Sequence, residues 1–124
     1  MKQAVILLGH GSRMPEASTV VDRLVRLFQT EEPETIFQAA FLEIQSPDLL
    51  EALQAVFERG ADDVVIVPYF LQVGKHVALH VPALVLEAQT RYPNKTIRLS
   101  GHLGFDERIV SVVRDLIREA RTAS

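Results

Sequence analysis

Two kinds of apolar run alternate along the chain. Ala4–Leu8 (AVILL) is short and continuous, as in a strand covered on both faces. From Ala17 onward Val20, Val21, Leu24 and Phe28 recur at helical spacing. Pro15 suits the first position of that helix, and Pro33 marks its exit. Residues Thr35–Phe41 are β-branched, aromatic and apolar, which predicts a second strand ending at Leu42-Glu43. Ser46-Pro47-Asp48 then reads as a helix start, with Ser46 capping, Pro47 in the first turn and Asp48 complementing the dipole. Leu49, Leu50, Leu53, Val56 and Phe57 form the stripe of this second helix, and Gly60 is its stop. Val64–Val67 is a third strand, broken at Pro68 by a loop that passes Gly74 and delivers His76 and His80 to a helix start. Pro82 is expected to open the helix proper, which carries Leu84, Val85 and Ala88 and ends near Tyr92-Pro93. Thr96–Leu99 is a weaker fourth strand. Asp106 is expected to cap a last helix whose Ile109, Val113, Leu116, Ile117 and Ala120 face inward. Arg114, Arg118 and Arg121 lie toward its C-terminal end, where the dipole favours cations.

The order is βαβαβαβα. With short connections it predicts an α/β fold, a single doubly wound domain over residues 1–124. Its sheet has four parallel strands, with helices on both faces and right-handed crossovers. A chain of 124 residues with 48% hydrophobic content can fill one such core.

Composition narrows the chemistry. Thirteen Lys and Arg against sixteen Asp and Glu give −3, with no run of like charge, which argues against a nucleic-acid or membrane-surface partner. No apolar run approaches a membrane span, and the N-terminus lacks a signal-peptide layout, so the expectation is a soluble, cytoplasmic domain. Cysteine is absent. Any metal must therefore be held by imidazole nitrogen and carboxylate oxygen.

In a parallel sheet, residues just past the strand ends gather along one edge, where ligands bind. His10 follows the first strand, Glu43 the second, and His76 lies in the loop after the third, each 33 residues from the next. His10 sits between two glycines, and Gly11 suggests a close backbone approach; a glycine-rich turn whose histidine only hydrogen-bonds is the bland alternative. Glu43 interrupts an apolar run, which a surface position explains as well as a functional one. His76 alone could be a solvated loop residue, and its pairing with His10 across the crevice is what raises it. If the chain from His76 is already helical, His80 lies on the same face one turn on, as a further ligand, an anion contact or a helix-start residue facing water. His102, near the fourth strand's end, reads as surface. Two histidines and one carboxylate leave coordination positions open, which suits a hydrolytic metal or an ion held briefly and handed on.

The segments GHGSR, FLEIQSPDLLEAL and VPYFLQVGKHVALHVP follow strands one and two and span the end of strand three. In that order and spacing they resemble the small class II tetrapyrrole chelatases, most closely the short CbiX type, over nearly the whole chain. The resemblance implies insertion of a divalent ion (Co²⁺, Ni²⁺ or Fe²⁺) into sirohydrochlorin, on the way to cobalamin, sirohaem or a related tetrapyrrole. It matches His10 and His76 to the metal-binding histidines and Glu43 to the acidic residue facing them, with no cofactor beyond the substrate metal. Ser12, Arg13 and Lys75 are then candidate contacts for the tetrapyrrole carboxylates. Longer members look like two such domains in tandem, so a chain this short is expected to pair as a homodimer. One departure is His80-Val81-Pro82, where the family commonly has an acidic residue before Ile-Pro.

Two rivals stand beside this reading. The first is a metal-dependent hydrolase or a histidine-nucleophile phosphatase; a phosphatase of that kind wants an Arg beside its histidine, and GHG lacks a preceding one. A non-enzymatic metal-carrying or small-molecule-sensing module on a flavodoxin-like fold would bind metal without altering a tetrapyrrole.

Overall fold

The continuous apolar run of the first strand forms the centre of the sheet. A computed structural model describes residues 1–14 and 19–123. In chain order it contains β1 (Gln3–Gly9), α1 (Thr19–Glu31), β2 (Ile36–Phe41), α2 (Leu49–Glu58), β3 (Asp63–Pro68), α3 (Lys75–Arg91), β4 (Thr96–Leu99) and α4 (Glu107–Thr122). All pairings are parallel and the strand order is β2-β1-β3-β4. The expected α/β sheet is therefore present. The helix start expected at Pro15 and Ala17 lies outside the described residues. No helix among the described residues is long and apolar enough to cross a membrane.

Alternation along the strands divides the core. Ala4, Ile6 and Leu8 of β1, with Val64 and Ile66 of β3 and Ile97 of β4, pack under Leu49, Ala52, Leu53 and Val56 of α2 and Val81, Val85 and Ala88 of α3. Phe37 points to the other face, where it stacks on Phe28 of α1 at 5.6 Å. On that second face α1 packs on β1 and β2. Val5, Val65 and Val67 stay only half-buried.

Helix α4 departs from expectation. None of its residues is buried, and it packs substantially against no strand or helix. Val113, Leu116 and Ile117, expected to face inward, are 49%, 56% and 46% exposed. Ala120 is exposed and Ile109 only half-buried. Periodicity shows which side of a helix is apolar and is silent on what covers it. The cap is as expected: Asp106 accepts the Arg108 backbone N–H at 2.9 Å. The Arg108 side chain, with Nε at 2.8 Å and Nη2 at 2.7 Å, and then that backbone bond hold the Asp106 carboxyl well below the usual carboxylate range. Because its pKa is lowered in the folded chain, its contribution is present above the ordinary carboxylate value. It is lost only as pH falls through the lower folded value.

Two helix starts also differ. The cap of α2 is Asp48, not Ser46. The Asp48 carboxylate accepts the Glu51 backbone N–H at 2.8 Å, and the Glu51 carboxylate accepts the Asp48 N–H at 2.8 Å. This reciprocal box outcompetes a serine two residues earlier, and Pro47, after a cis bond, lies outside the helix. Gly60, at φ +96°, follows the last turn as expected. Helix α3 begins at Lys75 after Gly74, so Pro82 lies inside it rather than at its start. Having no N–H, Pro82 leaves the carbonyl one turn back, at Ala78, without its helical donor.

Asp48→Ala should cost about 1 kcal/mol in denaturant unfolding. Ser46→Ala should stay within about 0.5 kcal/mol of the parent. Equal losses would return the cap to Ser46.

Candidate metal-handling site

Two strand ends are tied together beyond the sheet. The ladder between β1 and β2 continues past their last residues: Leu42 N–H donates to Gly9 C=O at 2.9 Å, and Glu43 N–H donates to His10 C=O at 3.2 Å. This brings the two side chains together, with His10 Nε2 and Glu43 Oε1 3.3 Å apart. Both are more than half exposed, so the contact orients the pair and adds little stability. With the Nε2 edge turned to the carboxylate, Nδ1 is the nitrogen left to meet a ligand. His10 also lies edge-on to Phe70 at 5.9 Å.

The close approach expected at Gly11 is present. Its φ is +101°, and a Cβ there would sit 1.8 Å from the Glu43 carbonyl oxygen. Glu43 is held on its other side by a tight turn. Gln45 N–H donates to Glu43 C=O at 2.8 Å across Ile44, whose φ is +72°. A bond spanning two residues over a positive φ is the γ-turn pattern, which is strained for a β-branched residue. Gln45 was not singled out by sequence reasoning. Its Oε1 accepts the Ser12 N–H at 2.8 Å and so clamps the His10 loop to the Glu43 loop. The only sequence signal for it was its place within FLEIQS.

His76 and His80 stand apart from this pair. They occupy the first turns of α3, with ring centroids 5.6 Å apart and planes 13° from parallel. The conditional expectation for His80 is met: the helix has begun by His76, and the rings share one face. Among the described residues no group of three or more His, Cys, Asp or Glu side chains converges to hold a metal ion. The structure thus pairs His10 with Glu43 and His76 with His80, and does not draw all of them onto one point. Ser12 has its N–H taken by Gln45 and its hydroxyl by the Met14 N–H at 3.0 Å. The described part of α1 begins at Thr19, so the helix-start donors expected after Ser12 are not among the described residues. Arg13 and Lys75 are exposed, and Lys75 is the first residue of α3. His102 is exposed, as expected, on the rim of an apolar groove of about 350 Å³ between α3 and the end of β4. Phe70, Val73, Val77 and Val81 line that groove.

The family model described as CbiX matches residues 4–120. The chain belongs to the CbiX family. This CbiX-family chain is 28% identical over 91% of its length to the sirohydrochlorin ferrochelatase of Bacillus subtilis (strain 168), of which it covers 43%. It is 32% identical over 93% of its length to the sirohydrochlorin cobaltochelatase of Saccharolobus solfataricus, and covers 93% of that protein. The chain spans about half the length, or less, of several relatives it matches and nearly all of others. Among solved structures, the sirohydrochlorin chelatase SirB of Bacillus subtilis subspecies spizizenii, in complex with cobalt, superposes with a TM-score of 0.86. The identity is 28%, covering 96% of this CbiX-family chain and 51% of SirB.

Gly11→Ala should destabilise the domain by about 1–3 kcal/mol, since the new methyl must push the His10 and Glu43 loops apart. Gly101→Ala, where nothing lies within 4 Å of the added carbon, should be near neutral. Thermal unfolding of the two variants checks the contrast.

Proposed function

We propose that this CbiX-family domain inserts a divalent metal ion, with Co²⁺, Ni²⁺ and Fe²⁺ as candidates, into sirohydrochlorin in the cytoplasm. The observation that carries the reading is His10 set against Glu43 where β1 and β2 end, on the edge to which α3 brings His76. The relatives' names support it. Their metals differ, so the physiological ion is left to geometry and supply.

Insertion replaces two pyrrole protons by one M²⁺, so the site must hold the ion loosely and accept protons. His10 and His76 hold the ion through neutral imidazole, leaving open positions for the macrocycle nitrogens. Glu43, 3.3 Å from His10, takes departing protons as general base. Arg13 and Lys75 answer the carboxylates of the macrocycle.

His10→Ala and His76→Ala should each lower insertion by at least about a hundredfold with the circular-dichroism spectrum retained. The assay is anaerobic incubation with sirohydrochlorin and Co²⁺, Ni²⁺ or Fe²⁺ in turn, followed by the absorption change. Full activity in both variants would sink the mechanism. No absorption change from the parent with any ion would return the metal-carrying reading.

The working unit is a homodimer. A macrocycle has two faces, and one four-stranded domain supplies one wall. The apolar side of α4 and the half-buried Val65 and Val67 on the thinly covered sheet face support this, because a second copy can cover both. Burying each large α4 side chain is worth about 1.5–3 kcal/mol. Light scattering should give twice the chain mass, and Val113→Glu with Leu116→Glu should give a folded monomer. A parent monomer that still inserted metal would refute the dimer.

A further inference from the structure

The two histidines of α3 have a geometry that the His10–Glu43 pair does not use. They stand four residues apart on a helix that has already begun, so the backbone fixes both rings on one face. The centroids lie 5.6 Å apart with the planes 13° from parallel, so a modest rotation of the two side chains turns one nitrogen of each toward a shared ion, as i, i+4 histidines on a helix do in zinc sites. His76 is exposed and His80 half-buried, and neither ring has a hydrogen-bond partner among the described residues. Imidazoles engaged as structural donors would show such partners.

We propose that His76 and His80 form a two-nitrogen landing site that captures the incoming divalent ion before it reaches His10. The ligand class is a late first-row ion, Co²⁺, Ni²⁺, Cu²⁺ or Zn²⁺, with water completing its shell. The local charge sharpens that choice. No acidic residue lies in the first turn of α3, Lys75 adjoins His76, and the helix N-terminus carries partial positive charge. An ion cannot be drawn here by charge. It must gain its hold from bonds to nitrogen, so Mg²⁺ and Ca²⁺, which bind oxygen and charge, are rejected. The same repulsion keeps the hold weak enough to release. In the proposed insertion step His76 also holds the ion with His10, so an ion leaving His80 for His10 would keep His76 as a ligand throughout. This hand-off rests on the chelatase reading; the landing site itself does not.

The test is calorimetric titration of the whole apo-protein with Ni²⁺ and with Co²⁺, and with Mg²⁺ as the contrast. Because the second bond is made intramolecularly, His80→Ala should weaken Ni²⁺ binding by at least about tenfold. His10→Ala should weaken it by less, and Mg²⁺ should not bind detectably. Unchanged affinity in His80→Ala, or a larger loss in His10→Ala, would overturn the landing site. Tight Mg²⁺ binding would overturn its selectivity. Circular dichroism of each variant separates a lost ligand from a lost fold. In the insertion assay His80→Ala should raise the KM for the ion about tenfold or more, and an unaltered KM would overturn the hand-off. If the parent binds Ni²⁺ through this pair yet never metallates sirohydrochlorin, the landing site stands and the chelatase reading falls.

Discussion

The pairing of β1 with β2 beyond the ends of both strands is the constraint on which the candidate site depends. Two backbone bonds, Leu42 N–H to Gly9 C=O and Glu43 N–H to His10 C=O, prolong the ladder into what would otherwise be loose loops. Gly11 permits that approach, since any side chain there would strike the Glu43 carbonyl. The bend at Ile44 and the Gln45 bond to Ser12 then lock the far side. His10 and Glu43 face each other because the main chains beneath them are joined, not because their exposed side chains attract strongly.

Helix α3 answers from the other side of the edge with a different device. Its start at Lys75 sets His76 and His80 at a helical spacing that a loop would not hold. Pro82 sits within the same helix and removes one bond from its ladder, close to these rings. Below them Val77 and Val81 turn toward the apolar groove, so one helix offers nitrogen on one side and carbon on another. One rigid element thus carries both kinds of surface.

The sheet is covered unequally. Helices α2 and α3 cover most of one face, while among the described residues α1 packs on β1 and β2 on the other. Helix α4 has the length, about 24 Å, and the apolar stripe for the remaining strip, yet none of its residues is buried. The apolar side of α4 and the half-buried Val65 and Val67 are thus left only partly covered within the chain itself.

Element order, strand positions and the parallel sheet were legible in the chain itself, because burial on two faces writes continuous apolar runs and burial on one writes a 3.6-residue period. The equal spacing of His10, Glu43 and His76 was legible for a related reason: each βα unit returns the chain to the same edge. What the chain alone left open were choices between competing local bonds. Asp48 prevailed over Ser46 because Glu51 could reciprocate, and α3 began before Pro82 because Gly74 and Lys75 already permitted it. The partnering of His10 with Glu43, the clamp by Gln45 and the stacking of His76 on His80 rest on which backbone groups meet in space. Residue type and spacing bring these groups to one edge. Only the tertiary structure decides which of them touch, and that α4 packs substantially against no other element, because contact depends on loop register and on what remains uncovered.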